Sequence, residues 1–117
     1  MTNLSVRFHR TERVNKLIRE ELSKIIGKEL EFPDVLVTLT QVETDKKMEH
    51  AKVGVSILPE SAAPGVMRAL EQKTGWLQHL LFKKINIRPM PMVIFKLDHG
   101  NEHAAHVERA FLEEEDR

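Results

Sequence analysis

The sequence has no cysteine. It can therefore form no disulfide, no thiolate metal site and no thiol nucleophile, which fits a reducing compartment. Glycine is sparse: the five glycines, at positions 27, 54, 65, 75 and 100, are isolated from one another, so no glycine-rich phosphate loop is present. Wholly apolar runs extend for only a few residues, too short to span a bilayer. The opening Met1-Thr2-Asn3-Leu4-Ser5-Val6-Arg7 lacks the apolar stretch of a secretory signal. A cytoplasmic protein is expected.

Catalytic signatures are also missing. There is no Gly-x-Ser-x-Gly and no His-Glu-x-x-His. Glu20 and Glu21 sit on a predicted helix among basic residues, and Glu113–Asp116 lie in a tail expected to fray. Neither pair is expected to be buried enough to serve in proton transfer. His99, His103 and His106 cluster, and a three-residue helical step can bring two imidazoles to one metal ion. We read them instead as a solvated histidine-rich segment, with a metal-dependent enzyme as the competing reading. The expectation is a non-enzyme with no cofactor, no metal and no small-molecule substrate.

What is present is one domain's worth of chain: 117 residues, long enough to bury a core without staples. The net charge of zero hides a segregation. Residues 1–28 carry seven Lys/Arg against three Glu, and residues 73–96 carry five against none, whereas residues 97–117 hold seven acids and two Arg. Basic segments of this kind are the electrostatic footprint of a phosphate-binding surface.

Residues 11–30 are predicted helical, with Thr11 as N-cap and Pro33 closing the region. Val14, Leu17, Ile18, Leu22, Ile25 and Ile26 form one apolar stripe that leaves Arg10, Arg13, Lys16 and Arg19 outside it. Residues 35–42 and 51–58 alternate as half-buried strands, joined through Glu43–His50 into an antiparallel hairpin with Lys46 and Lys47 near its tip. Ser61 is the expected cap of the next helical region, with Pro64 in its first turn. Val66, Leu70, Leu77 and Leu81 share a face there. Gly75 interrupts the pattern, predicting two helices that meet at a kink at Thr74 and Gly75. A third strand is expected at 92–97, then a marginal helix over 102–114 and an acidic tail. The implied fold is α+β: a three-stranded mixed sheet with helices on one face, its core at about 10–98 and its tail at 99–117.

This order of elements resembles type II KH domains, which bind single-stranded nucleic acid. The residues resemble the ribosome-binding factor A family more specifically, from about Arg10 to Asp98. The first helix carries Arg13-Val14-x-x-x-Ile18-x-x-Glu21-Leu22-Ser23-x-Ile25-Ile26. The second strand carries His50-Ala51-Lys52-Val53-x-Val55-Ser56, and the third Arg88-x-x-Pro91-x-Val93-x-Phe95-x-x-Asp98. Three departures stand out. Lys73-Thr74-Gly75 occupies the family's Ala-x-Gly kink, Gln78 replaces an arginine usual after that glycine, and Asp34 replaces a basic residue.

The resemblance implies a monomeric KH-like factor that binds the small ribosomal subunit or its precursor and assists maturation of 16S ribosomal RNA near its 5′ end. A general KH-like single-stranded RNA-binding module is the alternative. One glycine offers less open backbone than the Gly-x-x-Gly clamp of ordinary KH domains, which favours recognition of a folded RNA surface. The candidate RNA-binding residues are Arg10, Arg13, Lys16, Lys46, Lys47, Lys73, Lys83, Lys84 and Arg88. Trp76 is expected to cover the end of the sheet, with stacking on an RNA base as its other possible role.

Overall fold

The computed structural model describes residues 2–98, with side chains from Arg10 onward. The chain forms α1 (Thr2–Glu29), β1 (Leu36–Thr44), β2 (His50–Leu58), a short 3-10 turn (Glu60–Ala62), α2 (Ala63–Ile85) and β3 (Met92–Leu97). The sheet order is β1-β2-β3. β1 and β2 pair antiparallel through their short connection. β3 lies parallel to β2, a pairing that needs a long crossover, and α2 supplies it.

Among the described residues, the helices cover one face of the sheet. Along β2, Ala51, Val53, Val55 and Ile57 are buried, while His50, Lys52 and Leu58 between and beside them are exposed. Onto the covered face α1 brings Val14, Ile18, Leu22, Ile25 and Ile26, and α2 brings Val66, Leu70, Leu77 and Leu81. Leu17, expected in the stripe of α1, lies at its margin and is 42% exposed. Val93 and Phe95 complete the core from β3.

α1 begins nine residues before the predicted start, so Thr11 is an interior residue and not an N-cap. No proline or glycine occurs between Thr2 and Arg10 to stop the helix. The helix closes before a tight turn in which the Val35 N–H donates to the Phe32 carbonyl at 3.1 Å. Pro33 supplies the first central position of that turn, and Asp34, at φ 61°, the left-handed second, the pattern of a type II turn.

The predicted pair of central helices is one helix. α2 runs unbroken through Thr74 and Gly75, so neither residue marks a kink between separate helices. The glycine penalty of about 1 kcal/mol is small beside the burial of Leu70 and Leu77 on either side of it, about 1.5–3 kcal/mol each. The Thr74 hydroxyl donates to the Leu70 carbonyl at 2.8 Å, satisfying itself on the helix backbone. Ser61 does not cap α2 either: it lies within the 3-10 turn, and Ala62 takes the N-cap position without a side-chain bond. The helix ends at Asn86, whose N–H still donates to the Phe82 carbonyl at 2.8 Å and whose left-handed backbone (φ 43°, ψ 50°) then turns the chain out of the helix.

Two local devices hold the sheet. Between Leu39 and Val42, Thr40 and Gln41 together oppose the single residue Gly54, a β-bulge. A Cβ at position 54 would sit 2.5 Å from Thr40 Oγ1, so glycine leaves room for that hydroxyl to lie over β2 and donate to Asp98 Oδ2 at 2.9 Å. On the outer side of β3, Gln78 Nε2 donates to the Pro91 carbonyl at 3.2 Å, and Gln78 Oε1 accepts the Val93 N–H at 3.0 Å. A side-chain amide thus pairs with β3 as a neighbouring strand would. The predicted C-terminal helix, the acidic tail and His99, His103 and His106 lie outside the described residues.

Candidate nucleic-acid interface

The turn between β1 and β2 is built around Asp45. Its Oδ1 accepts the Glu49 N–H at 2.7 Å, and its Oδ2 lies 3.0 Å from His50 Nδ1. The backbone closes the same turn: the Asp45 N–H donates to the His50 carbonyl and the Met48 N–H to the Asp45 carbonyl. The hydrogen bond to His50, joined by those to the backbone, holds the Asp45 carboxyl below its ordinary value. Met48, at φ 60°, is buried in the core and anchors the tip. Lys46 and Lys47 are thereby presented outward on a fixed turn.

Two further elements reach that tip. Arg10 of α1 lines a shallow pocket of about 350 Å³ together with Thr11, Lys46, Lys47, Met48 and Pro89. Its guanidinium makes a long 3.4 Å contact with the carbonyl of Arg88, in the segment between α2 and β3. Arg88 in turn lies over the Phe82 ring, 5.9 Å from its centroid, within cation–π range. Among the described residues, none of Arg10, Lys46, Lys47 and Arg88 has a carboxylate partner. Three elements therefore bring four cations to one end of the fold, where no described carboxylate neutralises them.

The remaining candidates are all exposed but are disposed differently. Lys83 and Lys84 occupy the last turn of α2, leading into the segment that holds Arg88. Arg13 follows Arg10 by one turn of α1. Lys16 lines a separate groove along β1 with Asn15, Arg19, Gln41 and Val42. Lys73 stands apart, ten residues before Lys83 and so about 15 Å back along the helix. Trp76 is no core residue: it is 50% exposed, its Nε1–H donating to Glu29 Oε1 at 2.9 Å. Among the described residues no group of three or more His, Asp or Glu side chains is placed to hold a metal, and no helix is long and apolar enough to cross a membrane.

The family model of Ribosome-binding factor A matches residues 10–111. The chain belongs to the ribosome-binding factor A family. It is 35% identical over 101 residues to the ribosome-binding factor A of Desulfitobacterium hafniense, spanning 85% of this chain and 81% of that one. It is 33% identical over 115 residues to that of Pseudomonas paraeruginosa, spanning 92% and 90%. The fold is shared with the crystal structure of ribosome-binding factor A from Thermus thermophilus, at a TM-score of 0.66 and 24% identity over 74% of this chain and 94% of that one. A homology model of the Thermus thermophilus factor, fitted into a cryo-EM map of a 30S complex, aligns with a TM-score of 0.59 and 23% identity over 80% and 96%.

Within this family member, four residues escaped the sequence reading as contributors. Arg19 was visible as a residue outside the apolar stripe, and only the approach of β1 makes it a groove residue. Asp45 and His50 flank the predicted tip, but their pairing depends on the turn's geometry. Gln78 carried no signal beyond standing where the family usually has arginine.

Proposed function

We propose that this chain is a small-subunit assembly factor that binds the 30S ribosomal subunit or its precursor through ribosomal RNA and assists maturation of 16S ribosomal RNA, near its 5′ end. The observation that carries the reading is the meeting of Arg10, Lys46, Lys47 and Arg88 at one end of a fold whose family is named for ribosome binding. The fitted Thermus neighbour, a factor in a 30S complex, supports the choice of the small subunit. The factor acts as a cytoplasmic monomer and not as an enzyme. It stabilises one RNA conformation by mass action, with no bond made or broken.

The alternative, a general single-stranded RNA module, is disfavoured by α2. A Gly-x-x-Gly clamp needs open backbone between two helices, and here the helix continues through Gly75. Sedimentation of extract separates the readings. The protein is expected to comigrate with free small subunits and to be depleted from 70S particles. Cells lacking it should accumulate 16S precursors with unprocessed 5′ ends. Equal affinity for small subunits and arbitrary single strands would overturn the proposal in favour of the general module.

A further inference from the structure

Trp76 is the only tryptophan in the chain, and half of it faces solvent. Its ring is not loose: the 2.9 Å bond from Nε1 to Glu29 ties its edge to the end of α1. The His79 ring lies 5.8 Å away, centroid to centroid, tilted by 30°. Both residues are exposed on α2, with Trp76 on the side of the helix next to α1. Lys73 precedes the pair by one turn, and Lys83 follows His79 by another. From Gln72 to Leu97 the sequence holds no acid, so Glu29, already engaged by the indole, is the carboxylate seen at the pair.

A tryptophan serving only to pin α1 to α2 would be expected to bury its ring along with its N–H. Here the N–H is bonded and much of the ring surface is left open. An indole held by its edge, beside a second ring and between two cations, has the composition of a stacking platform for a nucleobase. Such platforms work on any base, because every base has a π-face, and nearby cations track the phosphates.

We propose that Trp76 and His79 form a stacking site for an unpaired RNA base, with Lys73 and Lys83 beside the flanking phosphates. The site rests on the RNA-binding reading above and adds to it a requirement for one unpaired nucleotide. The basic end of the fold meets RNA by charge and shape, whereas the α2 platform distinguishes an unpaired base from a duplex.

The single tryptophan makes the test direct. The full-length protein is titrated with a twelve-residue oligoadenylate and with a blunt RNA duplex of equal length. Tryptophan emission is followed together with the anisotropy of a label on the RNA. The single strand is expected to quench the emission as it binds, and the duplex to bind without quenching. Trp76→Ala should weaken single-strand binding about fivefold or more, the loss of one stacked base. Trp76→Phe, which keeps an aromatic face but loses the bond to Glu29, should retain most of the affinity. A circular dichroism spectrum checks that each variant is folded. Single-strand binding without any change in emission, or a folded Trp76→Ala variant with unchanged affinity, would overturn the platform while leaving the basic interface standing. Failure of the single strand to bind even at low salt would likewise overturn the platform, whereas the RNA-binding reading falls only if the protein also fails to sediment with small subunits.

Discussion

Replacing Gly75 by alanine is expected to stabilise the protein. The residue lies deep inside α2, is exposed, and a Cβ built there meets nothing within 4 Å. The substitution therefore adds no clash and removes backbone freedom from the unfolded chain, a gain of about 1 kcal/mol in a helix interior. For a domain near 100 residues that corresponds to a rise in Tm of about 4 °C. Gly27 provides the control. A Cβ there also meets nothing within 4 Å, and it sits in α1, where no kink was expected. Thermal melts followed by circular dichroism at 222 nm should show both Gly27→Ala and Gly75→Ala above wild type, the former by less because it lies in the last turn. If Gly27→Ala gains and Gly75→Ala loses, the backbone at 75 is not that of a continuous helix, and the reasoning fails at that residue. Small-subunit binding by Gly75→Ala should remain at the wild-type level, because nothing in the proposed interface needs a hinge there.

Gln78→Leu should cost about 2 kcal/mol, since it leaves the Val93 N–H and the Pro91 carbonyl without the partners they have now; an unchanged urea midpoint would show that water replaces the amide. Asp45 has a folded pKa below its unfolded value, so its contribution is present above the unfolded value, near 3.8, and is lost as pH falls through the lower folded one. The protection factor of the Glu49 amide, which removes the intrinsic pH dependence of exchange, should therefore fall only in that acid range, and Asp45→Asn should abolish the pH step; a step persisting in the variant would assign it elsewhere. Changing Arg10, Lys46 and Lys47 together to Gln should leave the melting temperature equal or slightly higher while reducing the salt slope of small-subunit binding by about 2–3 units. A wild-type slope in the folded variant would remove the three from the interface.

The strands were legible because burial follows a period of two. The alternation from Ala51 to Ile57 is the observed inward face of β2, and β3 begins and ends where the sequence placed it. The stripe of α2 was legible too, and it contained its own correction. Steps of four, seven and four from Val66 to Leu81 stay in phase across Gly75, as one straight period requires. The glycine was read against a periodicity that already outweighed it. The early start of α1 could not be read, because residues before Arg10 offer no comparable apolar stripe. Gln78 was hidden for a different reason: its partners, Pro91 and Val93, are fixed only once β3 crosses back beside α2. The candidate cations were legible as exposed residues, but their grouping was not. Arg10, Lys46 and Arg88 belong to three elements far apart in sequence, and tertiary packing alone brings them together.

That grouping explains how a chain of zero net charge presents a concentrated positive site. On the hairpin turn the Asp45 carboxylate, next to Lys46, has its oxygens directed to the Glu49 amide and the His50 ring. It fixes the turn instead of quenching it. Met48 adds a buried anchor beneath the two lysines, and Phe82 gives the Arg88 guanidinium a ring to rest on. The backbone carrying each cation is thus ordered before any anion arrives, which lowers the ordering cost that binding otherwise incurs. Under the proposed function, a phosphate backbone docking on Arg10, Lys46, Lys47 and Arg88 would meet cations already positioned and release its counterions, which would drive association.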